Sequence, residues 1–551
     1  MSLSLVVGPA HAGKIAHLLE RYLEELDRDP WLVVPNRVEV ERVERDLLRR
    51  RGALLSGLIG TFDDLFRHLA EDAAAAVPLR IASEAQSLLV LRRVIATTPL
   101  RQLARSASAP GFAEAVLGAF AELGTASVAP EEIGGDLGAL LAAYRAELDR
   151  LGVRDRPALR WDAVERLRSD LGSWGEAPVF AYGFEDLTDV EWALVEALSA
   201  RTEVTISIPY EPGRLALAAT ERTVAALARL AEGRVRELPP LLDRPVPDGL
   251  RRIERLLFVD DPGAPIELDG SVRFLEGAGL RGTAELVGKE LREALGRGVP
   301  PEAIGVVCEE PERWRAVLET VLGSLGIPYE VEHPRRLGAT PLGRALLALL
   351  RFAWRGGDRS DLFAFLRSPY SGLERRTADF LEGRLRGRAI VEPGRVEAEA
   401  ERLRGAPLPA LAALRASEPP TEAARHLVRT MVRNAWGLEA PPTVHDARDD
   451  ARAAEAAARA LDELDELREA VEVSREDVLA TLERARVRPT ASGERGRVAV
   501  LDYARARTRS FEVVFLLGLE EGTFPRRDRS APLLADELRE ELGLARRDSV
   551  A

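Results

Sequence analysis

The reading of this chain turns on Ser4-Leu5-Val6-Val7-Gly8-Pro9-Ala10-His11-Ala12-Gly13-Lys14-Ile15. Residues 4–7 are a short apolar run of buried-strand type. Gly8 to Lys14 fit the spacing G-x-x-x-x-G-K, and A-H-L-L-E-R-Y-L-E-E-L follows at helical spacing. Strand, glycine loop and helix in that order form a cradle in which backbone N–H groups hold phosphates and the lysine reaches the outer ones. The chain carries 77 Lys and Arg residues, of which only Lys14 and Lys289 are lysine. Lysine has thus been kept at the position where a compact ammonium suits a phosphate better than the wider guanidinium fork. Ile15 stands where a Ser or Thr hydroxyl would hold Mg²⁺. The spacing therefore predicts an ATP site built on Gly8, Gly13, Lys14 and Ile15, with its metal position impaired.

Working outward, 551 residues with 46% hydrophobic and 30% charged side chains describe several cored domains, about three or four by the usual size rule. The net charge of −13 argues against a small basic DNA-coating protein. Local arginine stripes can still contact nucleic acid. Cys308 is the sole cysteine, so a disulfide framework, a Cys-ligated zinc and an iron–sulfur cluster are excluded within this chain. It sits in the apolar run A-I-G-V-V-C and reads as core. The six histidines show no metal-ligand spacing. No basic leader precedes the glycine loop and no run approaches the ~18 apolar residues of a membrane span, so a cytoplasmic protein is expected.

The pattern alternates along the chain. W-L-V-V-P-N (31–36) reads as a second buried strand, with a helix from Val38 to Arg51. I-G-T-F-D-D-L-F (59–66) reads as a strand end and a helix start capped by Thr61 or Asp63. From about 75 to 170 only helical patterns appear. Strands return at 178–184 and 204–209, on either side of a helix over 188–200. A Pro/Asp-rich connector spans 238–270. A second α/β unit begins with a strand at 271–277, a helix over 283–297 and a strand at 303–308. It continues with a helix over 311–325 and a strand at 326–331, and helices then run from 341 to about 487. Strands resume at 497–503 and 513–518. The fold class expected is α/β, with two parallel-sheet units each interrupted by a helical insertion.

Two such units opened by a phosphate loop follow the plan of superfamily 1 helicases, and local strings narrow the resemblance. These are L-V-V-P-N-R-V-E-V-E-R-V-E-R-D-L-L (32–48), G-T-F-D-D-L (60–65) and F-A-Y-G-F-E-D-L-T-D-V-E (180–191). Further on come L-G-I-P-Y (325–329), T-P-L-G-R-A-L-L (340–347), D-L-F-A-F-L-R-S-P (361–369) and F-E-V-V-F-L-L-G-L-E-E-G-T-F-P (511–525). Taken together the chain resembles the B subunit of the AddAB (RexAB) helicase–nucleases of double-strand break repair. The resemblance implies two RecA-like domains: 1A (1–70 and 171–240) and 2A (271–340 and 490–551). Helical insertions 1B (71–170) and 2B (341–489) interrupt them, and a linker (241–270) joins them. It implies a helicase-like, DNA-binding subunit that guides single-stranded DNA from a duplex end beside an active A-type helicase–nuclease partner, in end resection and recombinational repair. It also implies that the chain stops before the last Arg-bearing helicase helix and before a C-terminal nuclease. The nuclease element D/E-x-K is absent by inspection, because Ala12 and Val287 stand two residues ahead of the only lysines.

Each candidate site has a plain structural reading beside it. Asn36, Arg37, Thr61 and Phe62 lie just past strand ends, where a helicase fold tracks single-stranded DNA; ordinary capping and packing explains them equally well. Arg505, Arg507 and Arg509 cluster in D-Y-A-R-A-R-T-R-S, where a helicase carries a loop touching DNA and nucleotide; the alternative is a solvated hairpin tip. The strand before 184 lacks the Asp-Glu end of an ATPase. Gly183-Phe184 intervene before Glu185 and Asp186, and Thr188 with Glu191 fits a helix capping box. ATP binding with weak or no hydrolysis is therefore expected. The other readings are a free-standing superfamily 1 helicase, a P-loop ATPase or kinase unrelated to DNA, and an interaction scaffold with a vestigial loop.

Overall fold

A computed structural model describes residues 2–71, 80–241, 246–261, 263–387, 390–437, 445–489, 496–524 and 533–544. It contains two parallel sheets. The first has six strands: β1 (Leu3–Gly8), β2 (Trp31–Val33), β3 (Leu58–Gly60), β4 (Val179–Ala181), β5 (Val204–Pro209) and β6 (Val235–Glu237), in the order β3-β2-β4-β5-β1-β6. The second is formed by β7 (Ile304–Cys308), β8 (Tyr329–Val331), β11 (Val498–Leu501) and β12 (Val513–Leu517), in the order β12-β7-β11-β8. A two-residue antiparallel pair, β9 (Arg335–Arg336) with β10 (Arg486–Val487), lies beside it. These are two RecA-like domains in an α/β protein.

The central strands of the first sheet read as unbroken apolar runs because both faces are covered. One face packs Leu3, Leu5 and Val7 with Val33, Ile206 and Leu227. The other packs Val6, Leu32 and Phe180 beneath α1 (Lys14–Glu24) and α2 (Arg37–Arg51). The segment expected as a strand at 271–277 is not one. The run is irregular and Phe274 there is 86% exposed, so its apolar residues do not form a buried strand face. Conversely β6 went unread, since all three of its residues are exposed and it shows no apolar alternation.

The helical stretches do not form two separate layers. Helices Glu84–Thr97, Phe112–Thr125 and Gly135–Leu151 share one continuous apolar core with Pro341–Arg355, Arg359–Leu366, His445–Asp465 and Arg475–Arg484. Polar contacts stitch the junction: Gln86 Nε2 donates to the Glu463 carbonyl at 2.7 Å, and Arg92 pairs with Asp477 at 3.4 Å. Helix Arg156–Ser169 lies instead on the first sheet, giving Ala163, Val164 and Leu167 to its core. Among the described residues no helix is long and apolar enough to cross a membrane.

Candidate nucleotide and nucleic-acid site

Because β1 to β4 are parallel, the chain leaves each of them at the same edge of the sheet. Val33 is in register with Gly60 and Ala181, and Gly8 with Pro209. The glycine loop, Asn36, Thr61 and the segment 182–186 are thereby brought to one carboxyl edge, where open α/β sheets bind ligands.

Gly13 takes the left-handed conformation (φ 76°, ψ 13°) that ends the loop, and Lys14 opens α1. Lys14 Nζ turns back and donates to the carbonyls of Gly8, at 2.8 Å, and Pro9. Among the described residues no carboxylate meets it, and burial pulls its pKa down to about 8. An ammonium held largely out of water by neutral carbonyls fits an incoming phosphate. The chain after β6 lies across the loop: Leu238 N–H donates to Val7, and Leu241 N–H to His11 at 3.3 Å. A Cβ on Gly13 would stand 3.0 Å from Leu241 Cδ1. This strap was missed in the sequence, where 238–241 reads as the start of a Pro-rich connector. Ile15 packs into the α1–α2 core and supplies no metal-ligating atom.

The end of β4 is equally informative. The first residue past it, Tyr182, is fully buried, and its hydroxyl has no hydrogen-bond partner among the described residues. It lies near Arg42, which pairs at 2.6 Å with Glu39, an almost fully buried carboxylate. Gly183 follows at φ 86°, and a Cβ there would lie 2.8 Å from Pro35 Cγ and 3.2 Å from Thr508 Cγ2. Thr508 belongs to the second domain. The tip of β4 thus carries no acid, and the space beyond Gly183 is filled from across the cleft. Glu185 pairs with Arg507 at 3.0 Å. Asp186 accepts from Thr223 Oγ1 at 2.8 Å, and Glu191 from the Thr188 N–H at 2.9 Å. All three acids already have partners, Glu185 across the cleft and the other two within the first domain, and these residues do not fit a Mg²⁺ site.

The predicted DNA-contacting residues divide. Asn36 Oδ1 accepts from the Glu39 N–H at 3.1 Å and caps α2. Thr61 caps α3 (Phe62–Ala70) in a box with Asp64, whose Oδ2 accepts from the Thr61 N–H at 2.9 Å. Arg37 is exposed and has no ion-pair partner among the described residues. Phe62 is 5% exposed, its ring 4.9 Å from that of Phe184, so it offers no face to a base. Packing, the plainer of its two readings, is what the structure shows. Arg505 is folded onto Asp502, with its N–H donating at 2.8 Å and its Nη1 also bonded there. Arg507 bridges to the first domain through Glu185, and Arg509 pairs with the buried Glu332 at 2.6 Å. Arg507 therefore sits at the domain junction, while Arg505 and Arg509 are held by carboxylates of the second domain.

Comparison with known proteins agrees with this architecture. The chain is 24% identical over 430 residues to the B subunit of the ATP-dependent helicase/deoxyribonuclease of Desulfitobacterium hafniense (strain Y51), covering 69% of this chain and 35% of that protein. The chain resembles the helicase/deoxyribonuclease B subunits. The corresponding protein of Pelotomaculum thermopropionicum is 25% identical over 430 residues, covering 69% and 36% of the two chains. That of Symbiobacterium thermophilum is 26% identical over 448 residues, covering 70% and 37%. No family model matches. The chain spans about a third of the length of the curated relatives it matches.

Proposed function

We propose that this chain is the helicase-like part of the B subunit of an ATP-dependent helicase–nuclease, acting in end resection and recombinational repair. It binds ATP at the β1–α1 loop with weak or no hydrolysis, and guides single-stranded DNA along the carboxyl edge of its sheets, next to an A-type motor partner. The observation that carries the reading is the tip of β4. A buried Tyr182 and a Gly183 pressed against Pro35 and Thr508 stand where phosphoryl transfer needs a metal-binding acid. The loop keeps its glycines and its ammonium, so the parts that hold phosphate are present while those that hold metal are not.

When bound, ATP would bring an anionic triphosphate to the loop. This chain's share is then to hold it: Lys14 leaves the Gly8 and Pro9 carbonyls for the phosphate, and the N-terminus of α1 faces it. Arg37, exposed at the sheet edge, supplies a cation for a DNA backbone. Equilibrium binding of a non-hydrolysable ATP analogue, compared between wild type and Lys14→Ala, tests the reading together with turnover measured with and without single-stranded DNA. Lys14-dependent binding without DNA-stimulated turnover is expected. Robust turnover would point to a free-standing helicase. No single-strand binding even at low salt, where phosphate contacts are strongest, would leave an interaction scaffold.

A further inference from the structure

The strap that lies across the glycine loop reads Leu238-Pro239-Pro240-Leu241. Proline has no backbone N–H and a fixed φ, so the two prolines form a stiff spacer and only the leucines at its ends can donate to the loop. Both do. Leu238 N–H donates to the Val7 carbonyl at 2.8 Å, and Leu241 N–H to the His11 carbonyl at 3.3 Å. The strap also meets both glycines of the loop. A Cβ on Gly8 would stand 2.6 Å from the Leu238 carbonyl oxygen, and one on Gly13 3.0 Å from Leu241 Cδ1.

The bond to His11 matters most, because of what shares its peptide plane. The His11 carbonyl and the Ala12 N–H belong to one rigid unit. Its oxygen accepts from Leu241, while its N–H donates at 3.3 Å to the Pro9 carbonyl, back into the loop. Lys14 Nζ donates to that same Pro9 carbonyl. The loop is thus closed on itself, and Pro9 takes two donors of the kind that a phosphate would use. Turning the His11–Ala12 plane to offer its N–H to a ligand breaks the Leu241 bond.

The two ends of the strap are held unequally. Leu238 packs against the core beneath α1 and α2, whereas Leu241 is 55% exposed and its bond to His11 is long. The strap continues β6, an edge strand whose three residues are all exposed. Chain with so few buried contacts opens at little cost. Leu241 is the end that can lift, with Leu238 as the pivot.

Taking the loop as the ATP site proposed above, we propose that residues 238–241 are an autoinhibitory strap. Leu241 competes with a nucleotide phosphate for the His11–Ala12 peptide, and occupancy of the loop lifts it. Equilibrium binding of a non-hydrolysable ATP analogue to the full chain tests this. Leu241→Ser keeps the N–H and removes the contact on Gly13, so binding should tighten about twofold. Leu241→Pro removes the N–H as well, so binding should tighten about tenfold. Adding Lys14→Ala to either variant should abolish the gain. Melting curves check folding, and Leu241→Ser decides the matter if Leu241→Pro is unstable. Hydrogen exchange gives a second readout: the analogue should speed exchange of the Leu241 amide. Unchanged affinity in the folded variants, or slower exchange at Leu241 on binding, overturns the strap while leaving the ATP site standing. If wild type and both variants alike show no Lys14-dependent binding, the ATP reading of the loop has failed and the strap falls with it. Binding to the variants but not to wild type is the extreme form of the inhibition proposed.

Discussion

Replacing Gly183 with alanine perturbs the junction on which the proposed loss of hydrolysis rests. Two terms add. An alanine at φ 86° must adopt a left-handed backbone, at about 1 kcal/mol. Its Cβ must also enter a space 2.8 Å from Pro35 Cγ, 3.0 Å from Pro35 Cδ and 3.2 Å from Thr508 Cγ2. Pro35 is a rigid ring next to β2, so the neighbours yield by moving backbone, and overpacking of that kind costs about 1–3 kcal/mol. The expected loss is about 2–4 kcal/mol. Gly152→Ala separates the terms: Gly152 is also left-handed (φ 64°) but has nothing within 4 Å of a built Cβ, so it should lose only the backbone term, about 1 kcal/mol. Urea unfolding followed by tryptophan fluorescence measures both, taking the first transition because a multidomain chain need not unfold in one step. If Gly183→Ala is no worse than Gly152→Ala, the close contact among Pro35, Gly183 and Thr508 is wrong, and the β4 tip has room for a side chain after all.

Further outcomes are expected elsewhere. With the Lys14 pKa depressed to about 8, the ammonium proposed to hold phosphate is intact below that pH and lost above it, so ATP-analogue affinity should fall about tenfold between pH 7 and 9. A flat profile over that range removes Lys14 from the site. Phe62→Ala should destabilise by about 3–5 kcal/mol as a core truncation. Single-strand affinity measured below the melting transition should not change; a selective loss of DNA binding in a fully stable variant would restore a stacking role. Glu185→Gln releases Arg507 from its cross-domain pair, and should tighten single-strand binding and steepen its salt dependence by about one phosphate equivalent. An unchanged slope means Arg507 does not face DNA. Finally, burial lifts the Cys308 thiol to about 12, so a thiolate-directed reagent at pH 8 should label it only after unfolding.

Much of the first domain was legible because its signals are local. A glycine loop between an apolar run and a helix, Asn36 ahead of α2 and a cap at Thr61 or Asp63 are each signals that act within a few residues, and the structure places the cap at Thr61. Contacts that are distant in sequence were not legible. Phe62 could face a base or the core with the same neighbours in sequence; Phe184, more than a hundred residues on, accompanies it in the core. Arg507 reads in sequence as a DNA-contacting arginine or a solvated hairpin tip; its pair with Glu185 comes from the other domain. The run at 271–277 has strand composition but forms no strand, whereas β6 pairs with β1 without strand-like composition.

The sequence by itself determined the class of fold, the strand–glycine loop–helix order around Lys14, and the lack of a hydroxyl at Ile15 and of an Asp-Glu pair after the fourth strand. Those are matters of which atoms the chain carries and how closely they are spaced. Only the tertiary structure decided that the loop's ammonium rests on its own carbonyls beneath Leu238 and Leu241. It alone showed that both helical stretches share one core, and that Thr508 closes the space beyond Gly183. Each of those facts depends on segments brought together by burial of apolar surface, a force without direction that leaves no local mark in the chain.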